Sequence, residues 1–212
     1  MGIDGIIFDL DGTLWDSCRV VAESWTQTLE KIGAAGHVIS TEDARSIMGL
    51  TAAGIADKLF SRYGDRADEV CRQCMEEEID YISQHSGDVY LGVEEMFEKL
   101  SKKYPLFIVS NCQDGYIQCF FKATGFGKYI KDMECEGSSG LAKADNIRLI
   151  CKRNGLRAPV YVGDTAGDEK SARSADCRFV HAAYGFGQVQ APDAVINSPL
   201  ELLAVISAME EN

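Results

Sequence analysis

The stretch Gly5–Ser17 reads GIIFDLDGTLWDS. A run of apolar residues ends there in two carboxylates, Asp9 and Asp11, with only Leu10 between them. In an extended chain, side chains two residues apart point to the same side. Two like charges held that close repel unless a cation sits between them or one takes up a proton. The stretch therefore predicts a buried strand, Gly5 to Leu10, with a charged functional site at its carboxyl end. A strand-end turn with an Asx hydrogen bond would account for the pair alone, but not for a second acidic cluster, GDTAGD, at Gly163–Asp168.

Working outward, Asp16 to Gly33 predicts a helix with Val21, Trp25, Leu29 and Ile32 near one face. Further helical patterns cover residues 41–48, 52–63 and 65–84, with no convincing strand among them. Beyond His85, helices and apolar strands alternate. Val93, Met96, Phe97 and Leu100 have helical spacing, and Lys102 and Lys103 suit a helix end. PLFIVSN (Pro105–Asn111) and PVYVGD (Pro159–Asp164) are continuous apolar runs of the kind a parallel sheet buries on both faces. Between them come a helix near 114–124, a strand near 129–134 and a helix near 142–154. A helix from Gly167, the strand CRFVHA (Cys177–Ala182) and a last helix from Pro199 follow. The pattern predicts an α/β fold: a Rossmann-like parallel sheet with helices on both faces, plus a small all-helical cap domain. Residues 1–15 and 88–212 form the core in this reading, and residues 16–87 the cap. A binding crevice belongs at the carboxyl ends of the strands.

Composition narrows the function. The 212 residues carry a formal net charge of −12 and no Lys/Arg-rich run, which argues against nucleic-acid binding. No stretch reaches the roughly 18 apolar residues of a membrane span, and the start MGIDGIIFDL lacks the features of a signal peptide. The expected compartment is the cytoplasm, with the eight cysteines reduced. Cys71-x-x-Cys74 has no second Cys or His pair to complete a site; Cys71, Met75, Ile79 and Ile82 share a helical core face, and Cys74 borders it. Oligomeric state is not encoded legibly, and a monomer is the working assumption.

Polar groups end three strands: Asp9 and Asp11, Ser110-Asn111, and Asp164 with Asp168. Lys143 opens the helix after EGSSGLA. Parallel neighbours would gather all of them at one sheet edge. Four carboxylates there cannot all stay ionised unpaired, and hard oxygen ligands without nearby His or Cys favour Mg²⁺. An EF-hand calcium loop fails in both registers, because Thr13 and Leu14, or Ile7 and Cys18, fall where ligands or glycine are required. A carboxylate beside Mg²⁺ can attack phosphorus, and a second carboxyl can protonate the leaving oxygen. Thr13 or Ser110 hydroxyls and the Lys143 ammonium can bind phosphoryl oxygens. His37, His85 and His181 have no partner at ligand spacing. Trp15 and Trp25 read as core or hinge packing.

DLDGTL, Ser110-Asn111, Lys143 and GDTAGD together resemble the four motifs of the haloacid dehalogenase superfamily, in order and in strand-end placement. The helical insert after the first motif resembles that superfamily's small cap. The resemblance implies that Asp9 is the nucleophile and Asp11 the acid/base. It implies that Asp9, the Asp11 backbone carbonyl and Asp164 hold Mg²⁺, with Asp168 supporting, and that Ser110, Asn111 and Lys143 bind the phosphoryl group. Arg45, in ARSIMGL, falls where related caps place substrate-facing residues. The reading is a Mg²⁺-dependent phosphatase acting on a small phosphorylated metabolite through an aspartyl phosphate, similar to phosphoglycolate phosphatases. A sugar phosphomutase of the β-phosphoglucomutase type shares the motifs, although Thr13 favours hydrolysis. A phosphoacceptor receiver module shares the chemistry, but its acceptor Asp lies on a later strand.

Overall fold

The computed structural model describes residues 2–34 and 36–211. Its main sheet contains β1 (Gly5–Phe8), β4 (Leu106–Ser110), β5 (Ile130–Cys135), β6 (Pro159–Gly163), β7 (Arg178–Ala182) and β8 (Ala194–Ile196). All six strands are parallel, in the order β5-β4-β1-β6-β7-β8. β1 lies inside the sheet between β4 and β6, and Ile6, Ile7 and Phe8 are wholly buried. Its alternation divides the core between the two faces. Ile6 and Phe8 join the larger cluster, with Phe97 of α5 (Val93–Leu100), Phe120 of α6 (Tyr116–Thr124) and Leu202 of α10 (Leu202–Glu211). Ile7 joins Phe107, Tyr161 and Phe179 in a second cluster with Ile147 and Ile150 of α8 (Lys143–Asn154) and Ala172 of α9 (Ala166–Ser174). The result is the expected Rossmann-like α/β sandwich.

Between β1 and β4 lies the helical block: α1 (Cys18–Lys31), α2 (Thr41–Ile47), α3 (Ala52–Ile55) and α4 (Ala67–Gln84). The expected helix over 52–63 is not continuous. It breaks into α3, a π-helical turn at Ala56–Phe60 and a 3₁₀ stretch at Ser61–Arg66, within which Gly64 takes φ +56°. Glycine there and at Gly54 weakens the helix enough for packing to decide its path.

Several short elements differ from the sequence expectation. The first strand stops at Phe8, not Leu10. The edge strand β8 and the one-turn helix α7 (Glu136–Ser139) are too short to leave a periodic signal. The two connections into and out of the block pair with each other. β2 (Trp15–Asp16) runs antiparallel to β3 (Asp88–Val89), with Trp15 opposite Val89 and Asp16 opposite Asp88. Trp15, wholly buried, packs edge-on against Tyr116 and Phe120 at ring distances of 5.7 and 5.2 Å.

Gly12 makes the turn after β1 possible. Its φ is +78°, and a Cβ placed there would lie 2.3 Å from an Asp164 carboxylate oxygen. Gly12→Ala is expected to lose at least about 2 kcal/mol, combining left-handed strain with the clash. Urea unfolding measures this, and an alanine variant as stable as the wild type would contradict the turn geometry.

Candidate active site

Strand register brings the acidic residues together. Phe8 pairs with Ile108 on one side and Val162 on the other, and the Asp9 amide donates to the Val162 carbonyl at 2.8 Å. Asp9 and Asp164 therefore leave adjacent strands at the same level, with Ser110 ending the strand on the other flank. This is the place where strand order reverses direction, and open α/β sheets form their crevices there.

Buried charge dominates the site. The Lys143 ammonium lies 2.6 Å from Asp168 Oδ1 and 3.0 Å from Asp9 Oδ1, with all three side chains almost fully buried. It donates a hydrogen bond to Asp168, whereas its contact with Asp9 is an ion pair outside hydrogen-bond angle. The other Asp168 oxygen accepts from the Thr165 amide at 2.9 Å and hydroxyl at 2.6 Å, in a capping box that starts α9. Burial would raise the Asp168 carboxyl, but Lys143 and Thr165 hold it below the usual range. Burial opposes the Lys143 charge as well, and Asp168 and Asp9 more than restore it.

For Asp9 and Asp164 the compensation falls short. Burial and then Asp168 push Asp9 well above the ordinary carboxylate range. The same two causes raise Asp164 to about 7. Asp9 Oδ1 and Asp164 Oδ1 are buried and accept no hydrogen bond, and carboxylate oxygens of Asp9, Asp164 and Asp168 lie within 4.8 Å of one another. One ammonium cannot balance three carboxylates. Unpartnered hard oxygens without imidazole or thiolate fit a magnesium ion. Asp9 and Asp164 have oxygens free for it, while both Asp168 oxygens are committed, which suits a supporting place.

The Asp11 side chain lies outside this set. Its Oδ1 accepts three hydrogen bonds, from Ser17 Oγ at 2.6 Å and from Trp15 Nε1 and Tyr116 Oη at 2.9 Å. All three bonds fall on that one oxygen, which leaves Oδ2 and the backbone carbonyl uncommitted. Burial raises its carboxyl, and the three donors partly offset that. The paired aspartates thus point to different partners, because the chain turns at Gly12 and does not continue as strand.

The remaining expected residues divide. Thr13 is buried with an unpartnered hydroxyl. Asp9, Asp11, Ser110 and Asn111 line a cavity of about 50 Å³ closed over by the helical block. Asn111 spends its amide on the Gly49 carbonyl of the block at 2.8 Å, leaving Oδ1 unpartnered. Arg45 does not line the cavity. Its guanidinium lies 3.4 Å from Asp16 Oδ2 and 5.6 Å from the centre of the Phe186 ring, so it ties the block to the hinge and to the loop after β7. That loop matters too: the Phe186 amide donates to Asp164 Oδ2 at 2.7 Å, and the Tyr184 hydroxyl donates to the Thr13 carbonyl at 2.8 Å.

Sequence reasoning passed over Glu78. It is 3% exposed, in the roof of the cavity, and accepts from Trp25 Nε1 at 2.5 Å. Burial lifts its carboxyl to about 8. The buried stripe of α4 runs through Cys71, Cys74, Glu78 and Ile82, whereas Met75 and Ile79 are only half-buried. An acid at i, i+4 from Cys74 and Ile82 was the signal available.

Two outcomes are expected. Mg²⁺ should raise the melting temperature of the wild type and bind measurably by calorimetry, and Asp164→Asn should abolish both effects. A Mg²⁺-dependent shift that survives in the variant would reject this metal site. Glu78 has a folded-state pKa raised from 4.5 to about 8, so its contribution to stability is complete below about 4.5 and is lost as pH rises through 8. Glu78→Gln cannot ionise. Its stability relative to wild type should therefore grow from pH 4.5 to 8 and then level, by roughly 3–5 kcal/mol in urea titrations. A pH-independent difference would contradict the burial of this acid.

Comparison with known proteins finds relatives both in sequence and in fold. A phosphoglycolate phosphatase from Pectobacterium atrosepticum is 27% identical over 221 residues, covering 96% of this chain and 92% of the relative. One from Photobacterium profundum is 24% identical, covering 97% and 96%. A haloacid dehalogenase-like family hydrolase from Streptococcus pneumoniae superposes with a TM-score of 0.82 at 24% identity, covering 96% of this chain and 98% of that one, which shows the shared fold. The haloacid dehalogenase-like hydrolase family profile matches residues 6–182, from the strand that delivers Asp9 through the end of β7, and the chain belongs to that family.

Proposed function

We propose that the protein is a Mg²⁺-dependent phosphatase that hydrolyses a small phosphomonoester through transient phosphorylation of Asp9. The observation that carries this reading is the Asp9–Lys143–Asp168 ion chain beside the unpartnered oxygen of Asp164. Phosphatases are prominent among the relatives, and their names make phosphoglycolate the reference substrate.

In this mechanism the Asp9 carboxylate attacks phosphorus, an Asp9–phosphorus bond forms and the ester P–O bond breaks. Lys143 opposes protonation of Asp9 and draws phosphoryl oxygens toward it, together with the Ser110 and Thr13 hydroxyls. Asp11 delivers the proton to the leaving oxygen. Three donors hold its Oδ1, so Oδ2 is the atom left to carry that proton at the cavity wall. Asp11 then takes a proton from water as the water displaces Asp9 from phosphorus. Bound at Asp9, Asp164 and the Asp11 carbonyl, Mg²⁺ would neutralise charge on the phosphoryl oxygens.

Residues 16–87 act as a cap domain in this reading, moving about the two-residue β2–β3 ladder to admit substrate. No helix among the described residues is long and apolar enough to cross a membrane. All eight cysteines are free, which supports a reducing, cytoplasmic location.

Asp9→Asn is expected to be inactive on every substrate. Asp11→Asn should slow turnover of an alkyl phosphate by roughly 10²–10⁴. With para-nitrophenyl phosphate, whose leaving group needs little protonation, the Asp11 variant should show a nitrophenolate burst and trapped phosphoenzyme. Normal turnover by Asp9→Asn would exclude Asp9 as the nucleophile.

A further inference from the structure

The cavity beside Asp9 has a wall of unusual chemistry for the phosphate ester of a carboxylic acid. The helical block contributes Trp25, Ile47, Leu50, Ile55 and Met75, with Glu78 as its only ionisable group there. None of the block's seven cations lines this space. Arg19, Lys31, Arg66 and Arg72 pair with surface glutamates. Lys58 donates to the Ser46 carbonyl, Arg45 is held by Asp16, and Arg62 lies on another surface with His37 and Tyr63.

The neutral donors of the leaving-group wall are largely committed as well. The Trp25 indole donates to Glu78, the Asn111 amide to Gly49, the Gln113 amide to Met75 and the Tyr116 hydroxyl to Asp11. A carboxylate on the leaving group would be buried here with no cation, facing Glu78 and Asp11, and would meet only the second N–H of the Asn111 and Gln113 amides, the Ser110 hydroxyl being taken up by the phosphoryl group. Glu78 offers no relief in either state. Ionised, it repels the carboxylate; protonated, it forms an acid pair that shares one proton and still buries a net negative charge. Burial lifts Glu78 to about 8, so it is mostly neutral at pH 7 and suited to an uncharged neighbour.

We propose that the substrate is the phosphate monoester of a small uncharged alcohol, and that Glu78, braced by Trp25, faces its leaving group and rejects phosphorylated carboxylic acids. This deepens the phosphatase reading above and rests on it. The apolar wall receives the carbon skeleton of the alcohol. The phosphoryl group alone carries the negative charge, and it meets Lys143 on the opposite side. Glu78 acts on specificity and takes no part in phosphoryl transfer.

The test uses matched pairs with the full chain and saturating Mg²⁺ at pH 7. 2-Hydroxyethyl phosphate is set against 2-phosphoglycolate, and glycerol 3-phosphate against 3-phosphoglycerate, with para-nitrophenyl phosphate as the common control. The uncharged member of each pair should have at least a tenfold higher kcat/KM. Glu78→Gln, which offers an amide donor, should narrow both ratios at least threefold, mainly through lower KM for the acids. Leu50→Lys places a cation in the wall at a position already 37% exposed, so it tests the same point without disturbing a buried acid. It should narrow the ratios further. Equal or better hydrolysis of the two acids by the wild type would overturn this inference and leave the phosphatase reading standing. Ratios unmoved in both variants would remove Glu78 and the wall from substrate selection. No turnover of any substrate, para-nitrophenyl phosphate included, would overturn both readings.

Discussion

The Lys143 ammonium, buried between Asp9 and Asp168, is the interaction on which the rest of the site depends. Three carboxylates in a nearly dry crevice would protonate or force the strand ends apart. One ammonium holds two of them in place and leaves the third, Asp164, facing an oxygen of Asp9. The ammonium is itself costly to bury, and its position is enforced from three sides. Helix α8 begins at Lys143, α9 begins with the Thr165–Asp168 box, and β1 delivers Asp9. The parallel sheet is what brings those three starts and ends to one point.

The charge left over after this arrangement sets the chemistry. Asp164 Oδ1 has no partner and Asp9 Oδ1 has only the Lys143 ion pair, a deficit that a dication would satisfy. Asp11 is kept out of this balance by Ser17, Trp15 and Tyr116, residues drawn from the hinge and from α6. Its environment therefore answers to the position of the helical block as well as to the core. Trp15 links the two: its indole donates to Asp11, its ring packs on Tyr116 and Phe120, and its backbone pairs with Val89. In the proposed mechanism the connection between block and core and the acid–base residue share one side chain.

The helical block closes the crevice with an apolar wall and one buried acid. Asn111 and Gln113 of the core donate to the backbone carbonyls of Gly49 and Met75. These polar latches hold the block closed without placing charge inside. Arg45, the block's cation nearest the hinge, works at the rim through Asp16 and Phe186. The block thus meets the core through polar contacts to its backbone and lines the rest of the cavity largely with carbon.

The sequence alone determined the order of the longer strands and helices, the parallel sheet and the positions of Asp9, Ser110, Lys143, Asp164 and Asp168 at its edge. Each sits at the end of an apolar run or the start of a helix, and such signals are local. The pairing of Asp16 with Asp88 was illegible, because it joins residues seventy-odd positions apart in two-residue strands without periodicity. The divergence of Asp9 and Asp11 was also hidden: strand alternation puts them on one side, and only the Gly12 turn against Asp164 sends them to different partners. Arg45 and Asn111 carry no sign in the sequence that one stays at the rim and the other turns to Gly49. Glu78 lay on a helical face that reads as apolar, and its meaning comes only from Trp25 and the cavity beneath it. Contacts between distant segments decided these points, since the free energy of a buried charge is set by what surrounds it and not by its place in the chain.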